Sequence, residues 1–89
     1  MQIEIYSKSN CAFCVKAKNL LNLREIPFKE FIIQDPTNKH MDLKDNQKWI
    51  TKEDLFNEFP SARTVPQIKI DNESIGGYNE LVAYLDNAN

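Results

Sequence analysis

Two cysteines, Cys11 and Cys14, are the residues of this 89-residue chain whose type and spacing could do chemistry. A thiolate is the nucleophile of disulfide exchange, and a second thiol close by can resolve the mixed disulfide that forms. A disulfide between them would close a very short loop, so it would add little to stability. A secreted disulfide scaffold of this length usually carries more cysteines, spread along the chain. We therefore interpret the pair as redox chemistry.

A zinc site is the alternative use of such a pair. Structural zinc needs further Cys or His ligands, and the chain has no other cysteine and only one histidine, His40, in a polar segment. We expect no metal and no functional role for His40.

The elements around the cysteines are predicted from hydrophobic periodicity. Alternation over Met1–Ser7 indicates a strand, and apolar residues at helical spacing indicate a helix over Ala12–Leu23. The β-branched and aromatic segment Phe28–Ile33 indicates a second strand. This order favours a parallel pair with a right-handed crossover. Cys11 then lies where a strand passes into a helix, with Cys14 on the core-facing side of that helix.

The second half of the chain predicts a helix, a hairpin and a last helix. These elements are a helix over Thr51–Phe59 that opens on a Thr-Asp capping pattern, strands over Gln67–Ile70 and Glu73–Ile75, and a helix that begins at Tyr78 or Asn79. The polar segment Gln34–Lys48 is interpreted as a loop. We expect one α/β domain over residues 1–89, a four-stranded mixed sheet flanked by about three helices.

Charge and hydropathy exclude several classes of partner. The net charge is −2 with no long run of one sign, which argues against nucleic acid as the main partner. No apolar stretch is as long as a membrane helix. Met1–Ile5 has neither the basic region nor the apolar core of a secretory signal. We expect a cytoplasmic monomer that binds neither nucleic acid nor membranes.

Three features predict that the pKa of Cys11 lies below the roughly 8.5 of a free thiol. The helix N-terminus directs N–H groups and the positive end of its dipole at the sulfur. Lys8 lies three residues upstream, and Cys14 can donate a hydrogen bond to the thiolate. We expect Cys11 to be the exposed nucleophile and Cys14 the resolving thiol on the core side.

The cysteine motif and two later motifs resemble those of glutaredoxins. The three motifs are Tyr6-Ser7-Lys8-Ser9-Asn10-Cys11-Ala12-Phe13-Cys14, Thr64-Val65-Pro66-Gln67 and Ile75-Gly76-Gly77-Tyr78-Asn79-Glu80-Leu81. Their order and spacing fit nearly the whole chain, and Ile50–Leu55 is similar to small dithiol glutaredoxins of bacteria and phages. Thioredoxins resemble the first two motifs but usually carry a tryptophan beside the first cysteine, whereas the only tryptophan here is Trp49.

The resemblance implies a thioredoxin-like fold and a binding site for glutathione. Val65 and Pro66 would be joined by a cis peptide bond and would offer the Val65 backbone to the extended tripeptide. Gly77 would let the chain approach the ligand closely. The N–H groups of Tyr78 and Asn79, at a helix start, would bind the γ-glutamyl carboxylate.

The glycyl carboxylate would meet Lys8, with Gln47 or Arg63 as further candidates. The full set of binding residues implied by the resemblance is Lys8, Phe13, Thr64, Val65, Pro66, Gly77, Tyr78 and Asn79.

Two departures from the family pattern concern the active site. Glutaredoxins of this type usually have Pro-Tyr between the cysteines, and this chain has Ala12-Phe13. Phe13 keeps an aromatic surface without the hydroxyl, and Ala12 lacks the ring that in the family is associated with resisting iron–sulfur binding. The segment Gln34–Lys48 is longer than in the smallest relatives. Its position suggests a contact with a partner, but a solvated insertion is the preferred interpretation.

The function predicted from the resemblance is glutathione-dependent reduction of protein disulfides and glutathione mixed disulfides. Cys11 would attack, Cys14 would resolve, and glutathione would restore the dithiol. Among protein substrates, ribonucleotide reductase is an expectation from the family only. Two alternatives stay open: a thioredoxin-like electron donor fed by a flavin reductase, and an iron–sulfur carrier in which two chains bridge a cluster through Cys11 and two glutathiones.

Overall fold

The computed structural model describes residues 1–87, which form a mixed sheet with helices on both faces. In chain order the elements are β1 (Ile3–Ser7), α1 (Ala12–Leu23), β2 (Lys29–Ile33), β3 (Gln47–Ile50), α2 (Lys52–Glu58), β4 (Gln67–Ile70), β5 (Glu73–Gly76) and α3 (Tyr78–Asn87). The strand order is β3-β2-β1-β4-β5. β1, β2 and β3 are parallel, and β4 is antiparallel to both β1 and β5. The α/β class predicted from the sequence is confirmed.

The strand β3 was missed by the sequence analysis, so the sheet has five strands instead of four. It begins at Gln47, inside the segment interpreted as a loop, and pairs with β2 from Glu30 to Ile33. It is a short edge strand, and its first two residues are polar. Trp49 and Ile50 alone are too few to give an alternating signal.

The remaining elements lie within a residue or two of the prediction, and the caps explain their bounds. The Thr51 hydroxyl accepts a hydrogen bond from the Asp54 N–H at 3.0 Å, and the Asp54 carboxylate accepts one from the Thr51 N–H at 2.9 Å. This confirms the predicted capping pattern at the start of α2.

The alternation along the strands divides the core between the two faces of the sheet. One face packs against α1 and α3, and its buried residues are Ile3, Ile5, Ala17, Leu21, Ile68, Ile70, Leu81 and Leu85. The other face packs under α2, where Tyr6, Leu55 and Phe59 are buried together. No helix within residues 1–87 is long and apolar enough to cross a membrane. The loop between β1 and α1 is thereby held at one end of the sheet, with helices on both sides.

Candidate active site

Cys11 and Cys14 form a disulfide at the N-terminus of α1. Cys11 is the N-cap residue: its backbone is extended, and its Sγ accepts a hydrogen bond from the Cys14 N–H at 3.2 Å. The first N–H groups of a helix have no partner within the helix, so a sulfur at this position meets both hydrogen-bond donors and the positive end of the dipole. The first turn of α1 carries no acidic residue to offset this effect.

The two sulfurs differ in exposure. Cys14 is 1% exposed, whereas Cys11 is partly exposed. Cys11 is therefore the cysteine that a molecule in solution can reach. This is the asymmetry that the helical spacing predicts.

Val65 lies beside the exposed sulfur. The Cys11 Sγ is 3.6 Å from the Val65 carbonyl oxygen, and the peptide bond from Val65 to Pro66 is cis, as the resemblance implies. Within residues 1–87, neither the N–H nor the C=O of Val65 makes a hydrogen bond to another backbone group. Both groups are therefore available to pair with an extended chain.

A groove of about 300 Å³ opens next to Val65, and we call it the Tyr78 groove. Its lining residues are Phe13, Thr64, Val65, Pro66, Gly77, Tyr78, Asn79 and Glu80. The structure thus brings together every binding residue predicted from the resemblance except Lys8. These residues come from α1, from the loop before β4 and from the start of α3, so only the fold makes them neighbours.

Two aromatic rings that line the Tyr78 groove, Phe13 and Tyr78, lie beside a lysine. Phe13 is 53% exposed, and its ring centroid lies 6.1 Å from that of Tyr78. The Lys16 Nζ lies 5.1 Å from the Phe13 centroid and 5.9 Å from the Tyr78 centroid, within range of a cation–π interaction. Lys16 was not predicted, because helical spacing places it on the solvent-facing side of α1.

The two glycines before α3 have different reasons to be glycine. Gly76 has a φ of +109°, which side chains rarely adopt. Gly77 has no such φ, but a Cβ on it would lie 3.2 Å from the Pro66 carbonyl oxygen. Gly77 thus lies close to the Pro66 backbone in the wall of the groove, and its predicted close approach to the ligand stays a prediction.

Glu80 is a residue of the Tyr78 groove that the sequence analysis missed. Its Oε1 accepts a hydrogen bond from the Gly77 N–H at 3.0 Å, so its carboxylate lies at the start of α3. The spacing of three residues between a helix N-cap and a glutamate is a known capping pattern and could have identified it. One carboxylate thus stands beside the N–H groups of Tyr78 and Asn79.

A second groove of about 200 Å³ lies next to the first, and we call it the Phe56 groove. Its lining residues are Lys8, Ile33, Lys52, Leu55, Phe56, Ala62, Arg63, Thr64 and Val65. Lys8 and Arg63 therefore line the same groove, and Thr64 and Val65 belong to both grooves. Gln47 lines neither groove. It lies in β3, where its Nε2 donates a hydrogen bond to the Glu30 carboxylate at 2.8 Å. Its candidate role toward a glycyl carboxylate does not fit this placement.

The active-site loop is supported by Asn38, which the sequence analysis also missed. Asn38 is 3% exposed, and its Nδ2 donates to the Ser9 hydroxyl and to the Ile33 carbonyl, each at 2.9 Å. Its Oδ1 accepts from the Asp35 N–H at 2.8 Å. The first turn of the segment 34–48 is therefore packed against the loop that carries Cys11. The interpretation of that segment as a solvated insertion is wrong for this turn.

A buried carboxylate joins the strands to α1. Glu30 is 2% exposed and accepts hydrogen bonds from the Ser7 hydroxyl at 2.6 Å, the Lys18 ammonium at 2.9 Å and the Gln47 amide at 2.8 Å. Burial by itself raises the pKa of Glu30. The hydrogen bonds from Ser7, Gln47 and Lys18, with the charge of Lys18, outweigh it and hold the pKa below its usual value.

Comparison with known proteins identifies the family of this chain. A family model described as Glutaredoxin matches residues 3–75. The chain belongs to the glutaredoxin family. Members of the family are thiol–disulfide oxidoreductases, and this glutaredoxin is an enzyme of that class. In the described part of the chain, no three His, Cys, Asp or Glu side chains are grouped as ligands of a metal ion.

The relatives cover nearly the whole chain. Glutaredoxin 1 of Escherichia coli (strain K12) is 35% identical over 86 residues, which span 96% of this chain and 93% of the relative. The crystal structure of Glutaredoxin 1 from Francisella tularensis complexed with cacodylate superposes with a TM-score of 0.72 at 31% identity, over 98% of this chain and 94% of that one. A buckwheat glutaredoxin–glutathione complex has a TM-score of 0.68 over 97% of this chain and 69% of that one, and its 18% identity shows the fold alone. The thioredoxin-like fold is confirmed.

Proposed function

We propose that this glutaredoxin uses glutathione to reduce protein–glutathione mixed disulfides and protein disulfides, with Cys11 as the nucleophile. In the first reaction, the Cys11 thiolate attacks the glutathione sulfur of the mixed disulfide. The protein sulfur leaves as a thiolate and takes a proton from solvent. A second glutathione thiolate then attacks the glutathione sulfur bonded to Cys11, which restores the Cys11 thiolate and releases oxidised glutathione.

Protein disulfides need the second cysteine. Cys11 attacks one sulfur of the substrate, and the other sulfur leaves as a thiolate. Cys14 then attacks the Cys11 sulfur, so the substrate departs with two thiols and the enzyme holds the Cys11–Cys14 disulfide. Two glutathiones reduce that disulfide and become one oxidised glutathione, which balances the two electrons.

The position of Cys11 supports its role as nucleophile. Its sulfur is partly exposed at the N-cap of α1 and accepts the Cys14 N–H, and the same donor and dipole would stabilise the thiolate after reduction. Cys14 lies one helical turn further on and is buried, so it attacks only a disulfide that is already held by Cys11.

The observation that carries the glutathione proposal is the charge pattern of the Tyr78 groove. A γ-glutamyl group ends in an α-carboxylate and an α-ammonium on one carbon. The start of α3 offers N–H groups of Tyr78 and Asn79 for the carboxylate, and the Glu80 carboxylate beside them suits the ammonium. The N–H and C=O of Val65, which make no hydrogen bond to another backbone group within residues 1–87, would pair with the backbone of the tripeptide.

Lys8 and Arg63 complete the proposed site for the glycyl carboxylate. Both line the Phe56 groove, which shares Thr64 and Val65 with the Tyr78 groove. A tripeptide paired with Val65 would therefore have its glycyl end on the side of these two cations.

The deciding experiment compares two reducing systems on one mixed disulfide of glutathione and a small thiol. We expect turnover with glutathione and glutathione reductase, and much slower turnover with thioredoxin reductase. The reverse preference would favour the thioredoxin-like electron donor. A reddish-brown protein that absorbs visible light after anaerobic purification would favour the iron–sulfur carrier. The cytoplasmic location, the monomeric state and ribonucleotide reductase as a substrate stay predictions.

A further inference from the structure

The Phe56 groove has an apolar floor and a cationic rim. Its floor comes from Ile33, Leu55, Phe56, Ala62 and Val65, and its rim from Lys8, Lys52 and Arg63, with no acidic residue in the lining. Phe56 is 44% exposed. An apolar floor next to several cations suits a partner that brings both an apolar and an acidic side chain.

The three rim cations have no ion-pair partner in the part of the chain that the structure describes, residues 1–87. The acidic residues of α2 do not neutralise these cations. Asp54 caps α2 through the Thr51 N–H, and Glu58 pairs with Lys69. Glu53 is not among the residues that line the Phe56 groove. Since the chain as a whole has a net charge of −2, this groove is a local concentration of positive charge.

Glutathione cannot account for all of this surface. Its glycyl end brings one carboxylate and no side chain, so it could satisfy Lys8 and Arg63 and still leave Lys52 without a partner. The exposed ring of Phe56 would also stay uncovered. A longer chain in the same position would have side chains that reach both.

We propose that the Phe56 groove binds the segment of a protein substrate next to its reactive cysteine, and that it selects segments with an apolar and an acidic side chain. This inference rests on the proposed function, because the substrate must first be joined to Cys11. Thr64 and Val65 line both grooves, and the Val65 N–H and C=O, which make no hydrogen bond to another backbone group within residues 1–87, would align the substrate as an extended strand. Successive side chains of an extended strand point to opposite faces, so alternate residues beside the cysteine would face the groove.

The apolar side chain would lie against Phe56, and the acidic side chain would reach Lys52 and its neighbouring cations. Attraction at such an exposed site is modest for each charge and is screened by salt. We therefore expect a preference between substrates and no absolute selection.

The test uses two peptides that each contain an intramolecular disulfide and differ only in the residues flanking one cysteine. One carries Leu and Asp, the other carries Ser and Lys, and kcat/KM is measured with glutathione as reductant. We expect the first peptide to be preferred roughly fivefold to twentyfold at low salt, with a smaller preference at about 0.5 M salt.

Two variants assign the preference to the groove. Lys52→Glu should reduce the preference for the first peptide about tenfold or reverse it. Phe56→Ala is measured with a second pair of peptides whose flanks differ only in Leu against Ser, and it should reduce the preference for Leu. Lys29→Glu is the matched control, because Lys29 is an exposed cation at the start of β2, at the end of the strand opposite the active site. It makes the same change in net charge and should leave the preference intact.

Equal kcat/KM for the two peptides, or the same loss in Lys52→Glu and Lys29→Glu, would overturn the proposal. Circular dichroism and the melting temperature show that each variant is folded. The wild-type turnover of a small glutathione mixed disulfide tests the proposed function separately. Failure there would reject the glutathione mechanism, whereas normal turnover without a peptide preference would reject the groove alone.

Discussion

The Tyr78 groove and the Phe56 groove meet at Val65 but are built from different kinds of group. The first presents main-chain N–H groups at a helix start, held by Gly76, Gly77 and the cis Val65–Pro66 bond. The second presents the long side chains of Lys8, Lys52 and Arg63 around an apolar floor. Fixed backbone donors suit one invariant ligand, and flexible cations suit segments of varying sequence. We infer that the two grooves have different roles in one catalytic cycle: the Tyr78 groove binds glutathione, and the Phe56 groove binds the protein substrate.

The largest effect should come from separating the two reactions at the cysteines. Cys11→Ser should abolish both activities, because no nucleophile remains. Cys14→Ser should abolish reduction of protein disulfides and keep the removal of glutathione from mixed disulfides, which needs only one thiol. Both rates can be followed by oxidation of NADPH through glutathione reductase. Loss of both activities in Cys14→Ser would reject these roles.

A bulky side chain in the wall of the Tyr78 groove should harm the use of glutathione selectively. Gly77→Val would place its Cβ 3.2 Å from the Pro66 carbonyl oxygen, in a wall of the groove proposed to hold glutathione. We expect at least a tenfold loss of kcat/KM for glutathione, equivalent to about 1.4 kcal/mol or more. Reduction of the enzyme disulfide by dithiothreitol, which needs only the cysteines, should change less. A folded variant with normal glutathione kinetics would make this corner a simple turn.

A change of charge at Glu80 tests how the Tyr78 groove binds glutathione. Glu80→Gln keeps an oxygen that can accept the Gly77 N–H but removes the charge proposed to face the γ-glutamyl ammonium. We expect KM for glutathione to rise about threefold to tenfold, in line with the loss of one partly exposed charge-assisted contact. The rate with a thiol that lacks the ammonium, such as N-acetylated glutathione, should respond less. An equal response of both thiols would contradict this part of the proposal.

The support from Asn38 predicts an effect on both stability and reactivity. Asn38→Ala removes the donors to Ser9 and Ile33 and should destabilise the fold by about 1–3 kcal/mol in urea unfolding. Because Ser9 lies two residues before Cys11, the loop should also lose its fixed position. We expect reduced Cys11 to be alkylated more slowly at pH 7 in the variant than in the wild type. A free thiol alkylated under the same conditions serves as the reference. Normal alkylation with reduced stability would limit Asn38 to a structural role.

The smallest effect should be the acid dependence set by Glu30. Its pKa is lowered in the folded state, so its contribution to stability is present above the unfolded value of about 4.5 and is lost as the pH falls through the folded pKa. Glu30→Gln should flatten the dependence of the free energy of unfolding on pH below 4.5. An unchanged slope between wild type and variant would show that other carboxylates set the acid transition.

The sequence predicted most of the fold because most elements carry strong local signals. The capping pattern at Thr51 and the alternation in β1 each lie within one short segment. The edge strand β3 was missed, since its pattern is short and half polar. The parallel pairing that defines it is a long-range property.

The candidate site was predicted mainly through motif spacing, and its long-range contacts were not. The groove residues near Phe13, Val65 and Tyr78 belong to three recognisable motifs. The contact of Asn38 with Ser9 spans 29 residues, and no local pattern announces it. The cationic Phe56 groove likewise forms only when α2 packs beside the active-site loop.

The central claim, that glutathione joined to Cys11 lies in the Tyr78 groove, is tested most directly by NMR. Backbone amide shifts of the Cys14→Ser variant would be compared before and after Cys11 is joined to glutathione in a mixed disulfide. We predict the largest changes at Val65, Gly77, Tyr78 and Asn79, and small changes at Lys52 and Phe56. Large changes along α2 with none at the start of α3 would contradict the account.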